Sequence, residues 1–189
     1  MAIVTPVALD AGTLQVAFMA TLGPLRVTGA FRSLRGELLL PHADLASASL
    51  AVEVDAASVD TGFALRDRHL RARSFLDVAR YPTILFRSTR IAQDNGDLVV
   101  AGTLVLRGVA RDIVTRCPIA PMDGDAGHPV VSLCGPLDIP IRPHGIGVPH
   151  GLDVLNPIFL LVGSRVQVRV RLALAVSRVP PALRPALAR

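Results

Sequence analysis

The stretch that decides the fold runs from Ser58 to Ser88, SVDTGFALRDRHLRARSFLDVARYPTILFRS, because it sets a short, charged, helical insertion between two strands. Before it, Leu50, Val52 and Val54 alternate with Ala51, Glu53 and Asp55. After it, Ile84, Phe86 and Ser88 resume the same two-residue period, that of a strand with one buried face. Within the insertion, Ser74 followed three residues later by Asp77 predicts a helix start. The hydroxyl accepts from free backbone N–H groups, and the carboxylate suits the positive end of the helix. Pro82 then closes the helix and opens the next strand.

Working outward, Leu14, Val16 and Phe18 alternate with polar or small residues, and a turn at Gly23-Pro24 leads to strands over Arg26 to Phe31 and Arg35 to Leu40. Gly29 and Gly36 predict bulges or sharp bends in a sheet that closes on itself. Asn95-Gly96 predicts a tight hairpin joining Ile84 to Ile91 with Leu98 to Arg107. Further strands are expected over Asp112 to Cys117, Val130 to Cys134, Leu137 to Ile141 and Arg165 to Val176. In the last of these, Val166, Val168, Val170, Leu172 and Leu174 share one face, while Gln167, Arg169 and Arg171 share the other. Eight or nine strands with short turns and one-sided alternation predict an all-β protein, an antiparallel barrel or sandwich, with a short helical insertion. Eight of the fifteen prolines fall between Pro118 and Pro157, which predicts a loop-rich rim. Residues 1–176 read as one domain and 177–189, SRVPPALRPALAR, as a disordered tail.

At 189 residues and 51% hydrophobic composition the chain can fill one sizeable core, and with aromatics at 4% that core must be built from Val, Leu, Ile and Ala. All 20 basic residues are Arg, and the formal charge is +5. The densest basic group, Arg66, Arg68, Arg71 and Arg73, is diluted by Asp67 and Asp77 and has a single neighbouring aromatic, Phe75. It lacks the stacking platform of a nucleic-acid site, so no nucleic-acid partner is expected. It reads as a solvated helix face, with a transient contact to anionic membrane surfaces left open. The N-terminus, MAIVTPVALD, has no secretory pattern and no segment is long enough to span a bilayer, so a cytoplasmic location is expected. Cys117 and Cys134 match no zinc spacing and are expected as buried thiols.

Little in the chain points to catalysis. There is no nucleophile elbow, phosphate loop or metalloprotease helix. His42, His69, His128, His144 and His150 are scattered, and a metal site of His144, His150 and Asp153 is weaker than plain loop histidines. An enzyme acting on an apolar substrate would have to use Asp67 with His69, or His144, as acid and base. Asp67 and His69 are two apart on a predicted helix and point in different directions, so structural roles fit them better. A large apolar interior with little reactive chemistry fits a non-enzymatic binder of an apolar molecule, with no catalytic residue, metal or cofactor.

Several blocks taken together resemble one family. Ser58-Val59-Asp60-Thr61-Gly62, Arg66-Asp67-Arg68-His69-Leu70, Phe75-Leu76-Asp77-Val78, Tyr81-Pro82-Thr83-Ile84, Phe86-Arg87-Ser88 and the run Gly102 to Val109 stand in the order and spacing of the YceI-like family. Asp10, Phe18, Gly29, Phe31 and Gly36 are similar to its opening strands, and Ile139 to Gly145 to its late segment; Leu76 stands where the family has a second Phe. The resemblance covers roughly Leu9 to Ala175. It implies an extended antiparallel eight-stranded lipocalin-like barrel with a helix against it, and a hydrophobic tunnel that binds, stores or transports a long-chain isoprenoid lipid or isoprenoid quinone, often in a homodimer. Strand parity then supplies the expected lining: Val16, Phe18, Phe31, Leu50, Val52, Val54, Phe75, Ile84, Phe86, Val100, Leu104, Leu106, Ile113 and Ile141. Arg66, His69, Tyr81 and Arg142 are the polar candidates for contacts to a head group.

Overall fold

The computed structural model describes residues 7–10, 12–41, 45–122, 130–148 and 162–175. Their strands pair antiparallel throughout and form two six-stranded sheets. The first contains β1 (Val7–Leu9), β4 (Leu34–Leu39), β5 (Ser49–Asp55), β7 (Thr83–Asp94), β8 (Asp97–Leu106) and β9 (Val109–Cys117), hydrogen-bonded in that order. The second contains, in spatial order, β10 (Ile119–Met122), β11 (Val130–Pro140), β12 (Val162–Ala175), β2 (Leu14–Leu22), β3 (Leu25–Phe31) and β6 (Val59–Asp60). One helix, α1 (Ala64–Arg71), follows β6. No helix among the described residues is long and apolar enough to cross a membrane.

The architecture is all-β with one short helix, but the expected eight-stranded closed barrel is replaced by these two sheets. No ladder among the described strands joins them. The difference lies at the corners. A long antiparallel ribbon bends from one sheet into the other, so that the pair β3 and β6 continues as the pair β4 and β5. Arg32 N–H donates to Ser58 O at 3.1 Å and Asp55 N–H to Ser33 O at 3.0 Å across this corner. The 3₁₀ turn Ala56–Ser58 makes the bend on the second arm, capped by the Asp55 carboxylate accepting from Ala57 N–H at 2.9 Å. Pro118 separates β9 from β10 in the same way. Conversely, the two strands expected over 130–141 are one, β11, because its ladder with β12 runs unbroken through Gly135↔Val170 and Pro136↔Arg169. Pro136 lies beyond the reach of β10, which pairs only with Val130 to Leu133, so its missing N–H disrupts no second ladder.

Gly29 and Gly36 carry no register shift, contrary to expectation; the shifts fall at Ser88/Arg90 in β7 and at Val162/Val166 in β12. The Asn95-Gly96 turn is as expected, with φ +51° and +91°, values suited to a two-residue hairpin. The helix is displaced from its expected place. It ends at Arg71, and residues from Ser74 onward fold back as turns, with Leu76 N–H donating to Leu70 O at 2.9 Å and Val78 N–H to Arg71 O at 3.1 Å. Asp77 cannot start a helix here because its backbone sits at φ +50° and its carboxylate faces Arg107.

The core follows strand parity. In β8, Leu98, Val100, Gly102, Leu104 and Leu106 are all buried, and they alternate with half-buried residues. Leu98 and Val100 cluster with Val52 and Val54 of β5 and with Leu14, Val16 and Leu172 of the second sheet, and Leu104 and Leu106 with Ile139, Ile141 and Ile146. Cys117, expected as a buried thiol, is half-buried; the side chain of Cys134 lies outside the described residues, as do His42, His128, His150, Asp153 and the segment 177–189.

Gly102 is the tightest point of β8. A Cβ there would overlap Arg87 O and stand 2.6 Å from the Phe86 ring. Gly102→Ala is therefore expected to lower unfolding free energy by about 1–3 kcal/mol through overpacking, checked by urea titration. A wild-type midpoint in the variant would show that the strands separate there freely.

Candidate binding cavity between the sheets

Between the two sheets lies a cavity of about 260 Å³. Its described lining is aliphatic or aromatic except for Thr115 and Cys117, and it contains no charged side chain. A space of this size, just under the roughly 300–1,000 Å³ of ordinary small-molecule sites, suits a slender chain more than a bulky ring system. All fourteen residues expected from strand parity line it. Phe18 and Phe31 pack against each other with ring centroids 5.7 Å apart, one on each of two neighbouring strands. Phe86 crosses from β7 beside Leu104 of β8.

The remaining lining residues were not anticipated as such. Val166, Val168, Val170 and Leu172 had shown the required parity in β12, and Leu137 and Ile139 show it in β11. Leu70 and Leu76 carry no strand period. They reach the cavity because α1 and the turns after it lie against its wall, with Phe75 beside them.

Two polar anchors fix that wall. Asp67 is 6% exposed, and its Oδ1 accepts from Thr61 N–H at 2.9 Å and from the Thr61 hydroxyl at 2.5 Å, tying the first turn of α1 to the end of β6. Arg107, in the two-residue turn between β8 and β9, is the second. Its guanidinium donates to Gly145 O and to Arg73 O (3.0 Å), lies 3.8 Å from the Asp77 carboxylate and stands 5.9 Å from the Tyr81 ring centroid. One side chain thereby joins the helical insertion to the loop over residues 142–147. Its backbone sits at φ +50°, an unusual value for Arg that the surrounding contacts hold in place.

The polar candidates do not line the cavity. Arg66 donates to the Thr61 hydroxyl (2.7 Å) and to Thr61 O (2.9 Å), with its guanidinium 5.8 Å from the Phe63 ring centroid. Tyr81 is packed between Arg80 and Arg107. His69 is exposed. Arg142 donates to Gly147 O (3.2 Å) and Val162 O (3.3 Å), next to the lining residues Ile141, Ile146 and Val162.

The acid and base candidates are not brought together either. Asp67 is engaged by Thr61, His69 faces solvent, and His144 is 3% exposed with Nδ1 donating to Leu106 O at 3.1 Å. Burial lowers the pKa of His144 below its ordinary 6.5; the hydrogen bond to Leu106 opposes this, and the Arg111 charge adds to it. Among the described residues, no three His, Cys, Asp or Glu side chains are grouped to hold a metal ion.

Residues 8–174 match the YceI-like domain. A UPF0312 protein of Vibrio cholerae is 38% identical over 94 residues, 49% of this chain and 50% of that protein. Protein YceI of Escherichia coli is 34% identical over 98 residues, 52% of this chain and 51% of that protein. The matched segment thus spans about half the length of these curated relatives. Solved structures share the fold, among them the following two. BcnA of Burkholderia cenocepacia superposes with a TM-score of 0.71 at 21% identity, covering 86% of this chain and 96% of that one. A polyisoprenoid-binding domain from Saccharophagus degradans superposes at 0.64 and 18% identity, covering 90% and 98%.

The buried imidazole makes stability depend on pH. His144 is harder to protonate folded than unfolded, so acid favours the unfolded chain, and its contribution is lost as pH falls from 6.5 through the lower folded value. Urea midpoints are expected to drop across that window, and to drop less in His144→Asn. Identical slopes in the two proteins would show that the imidazole titrates as if exposed.

Proposed function

The chain belongs to the YceI-like family, and on that premise we propose that its cavity takes the tail of a long-chain isoprenoid lipid, a polyisoprenoid or isoprenoid quinone, for storage or transport. The observation that carries this reading is the lining itself, an apolar space between two sheets with no charged group. A hydrocarbon tail gains about 0.8 kcal/mol for each CH₂ group removed from water, so roughly four or five isoprene units offset an association cost of about 4–15 kcal/mol. No polar anchor inside is needed. The solved domain from Saccharophagus degradans is described as polyisoprenoid-binding, which supports the ligand class.

The head group then stays at the end of the cavity. Of the four polar candidates we favour Arg142, because it directly follows Ile141 in the chain and is hydrogen-bonded to Val162 O, both residues of the lining. Binding without catalysis is the reading that fits, since Asp67, His69 and His144 sit in three separate environments outside the lining.

Organic extraction of the purified protein followed by mass spectrometry is expected to release an isoprenoid lipid, or the protein is expected to take one up when it is added. Protein that repeatedly yields no lipid and does not bind added isoprenoid quinone would end the proposal. Phe86→Arg and Leu104→Arg each put a charge against the tail and are expected to abolish binding. A folded variant with wild-type affinity would show that the tail lies elsewhere.

A further inference from the structure

The outer face of the insertion has a character that its inner face does not explain. Leu70, Phe75 and Leu76 turn inward to the cavity, yet Phe63 and Leu65, at the start of α1, are 57% and 53% exposed. Two large apolar side chains within three residues at a helix start, Phe63 at the cap and Leu65 in the first turn, both exposed, mark a surface that meets something. The exposed charge that has no carboxylate partner on the same segment is of one sign. Arg68, Arg73 and Arg80 are exposed, and among the described residues none of them pairs with a carboxylate. None of the three acids between Ser58 and Ser88 offsets them: Asp60 is paired with Arg32 at 2.9 Å, Asp67 is buried on Thr61, and Asp77 faces Arg107. The dilution of the arginines by acids that is visible in the sequence therefore disappears on the folded surface.

We propose that this face, Phe63 and Leu65 with Arg68, Arg73 and Arg80, docks on an anionic lipid bilayer. Charge complementarity selects the partner: cations with no carboxylate partner attract acidic head groups, while the exposed Phe63 and Leu65 at the start of the same segment enter the interfacial region. Nucleic-acid phosphates would use the arginines but leave Phe63 and Leu65 in water, since one aromatic makes no stacking platform. Docking places the bilayer against the outer side of the segment whose inner side lines the cavity. As a path for lipid between bilayer and cavity, this rests on the isoprenoid reading above; as a membrane contact, it stands without it.

The test is sedimentation of the full chain with vesicles of equimolar phosphatidylcholine and phosphatidylglycerol, against vesicles of phosphatidylcholine alone. Wild type is expected to bind the anionic vesicles in low salt and to detach as salt rises. Arg68→Glu with Arg73→Glu, and separately Phe63→Ser with Leu65→Ser, are each expected to weaken binding about tenfold or more. These are surface positions, so both variants are expected to keep the wild-type circular dichroism spectrum and isoprenoid uptake from detergent solution. Equal binding to both vesicle types, or wild-type vesicle binding in both variants, overturns the proposal. So does a DNA duplex that binds in an arginine-dependent, Phe63-independent way while vesicles do not. Loss of isoprenoid uptake in wild type would strike the cavity reading and leave the docking result untouched.

Discussion

A side chain on a strand can point only to one face of its sheet or the other, and that constraint organises the whole molecule. Because β2, β5, β8 and β12 keep apolar groups at most second positions, and β7 does so at Ile84 and Phe86, two sheets must face each other to remove those groups from water. Their inner faces do not fill the space between them completely. What remains is a cavity whose walls are hydrocarbon because the same alternation that builds the core builds the lining. The binding surface is therefore a by-product of the fold's own periodicity, with chemistry as uniform as the pattern that made it.

Closing that space requires a wall that strands do not provide. The segment after β6 supplies it, and two polar contacts hold it there. Asp67 fastens the start of α1 to Thr61, and Arg107 reaches from the β8–β9 turn to Arg73, Asp77 and Gly145. Both anchors are charged groups placed outside the cavity, so they fix the wall without adding polarity to the interior. The insertion is thus two-faced, with Leu70, Phe75 and Leu76 toward the cavity and Arg68, Arg73 and Arg80 toward water.

Strand identity and facing are legible in alternation alone, which is why the sequence predicts Val16, Val52, Phe86 and Leu104 on an inward wall. Corners were not readable. Nothing in the local pattern at Arg32-Ser33 or Ala56–Ser58 shows that a strand leaves one sheet for another, since the hydrogen bonds that hold the bend join residues more than twenty apart in sequence. The helix was misplaced for a related reason. Ser74 and Asp77 carry the local signature of a helix start, but Asp77 is taken by Arg107, thirty residues away, and its backbone turns into the left-handed region. Leu70 escaped because a single helical residue has no strand period to betray its facing. The head-group candidates shared one weakness: a polar residue's partners, such as Thr61 for Arg66, are set by tertiary contacts.

If the cavity recognises hydrocarbon and nothing else, affinity must follow tail length. Isothermal titration calorimetry with isoprenoid alcohols that share a head group and differ in number of isoprene units measures this directly. The account predicts affinity that climbs with each added unit until the cavity is full, with a negative heat-capacity change from buried apolar surface. Affinity set by the head group and indifferent to tail length would contradict it.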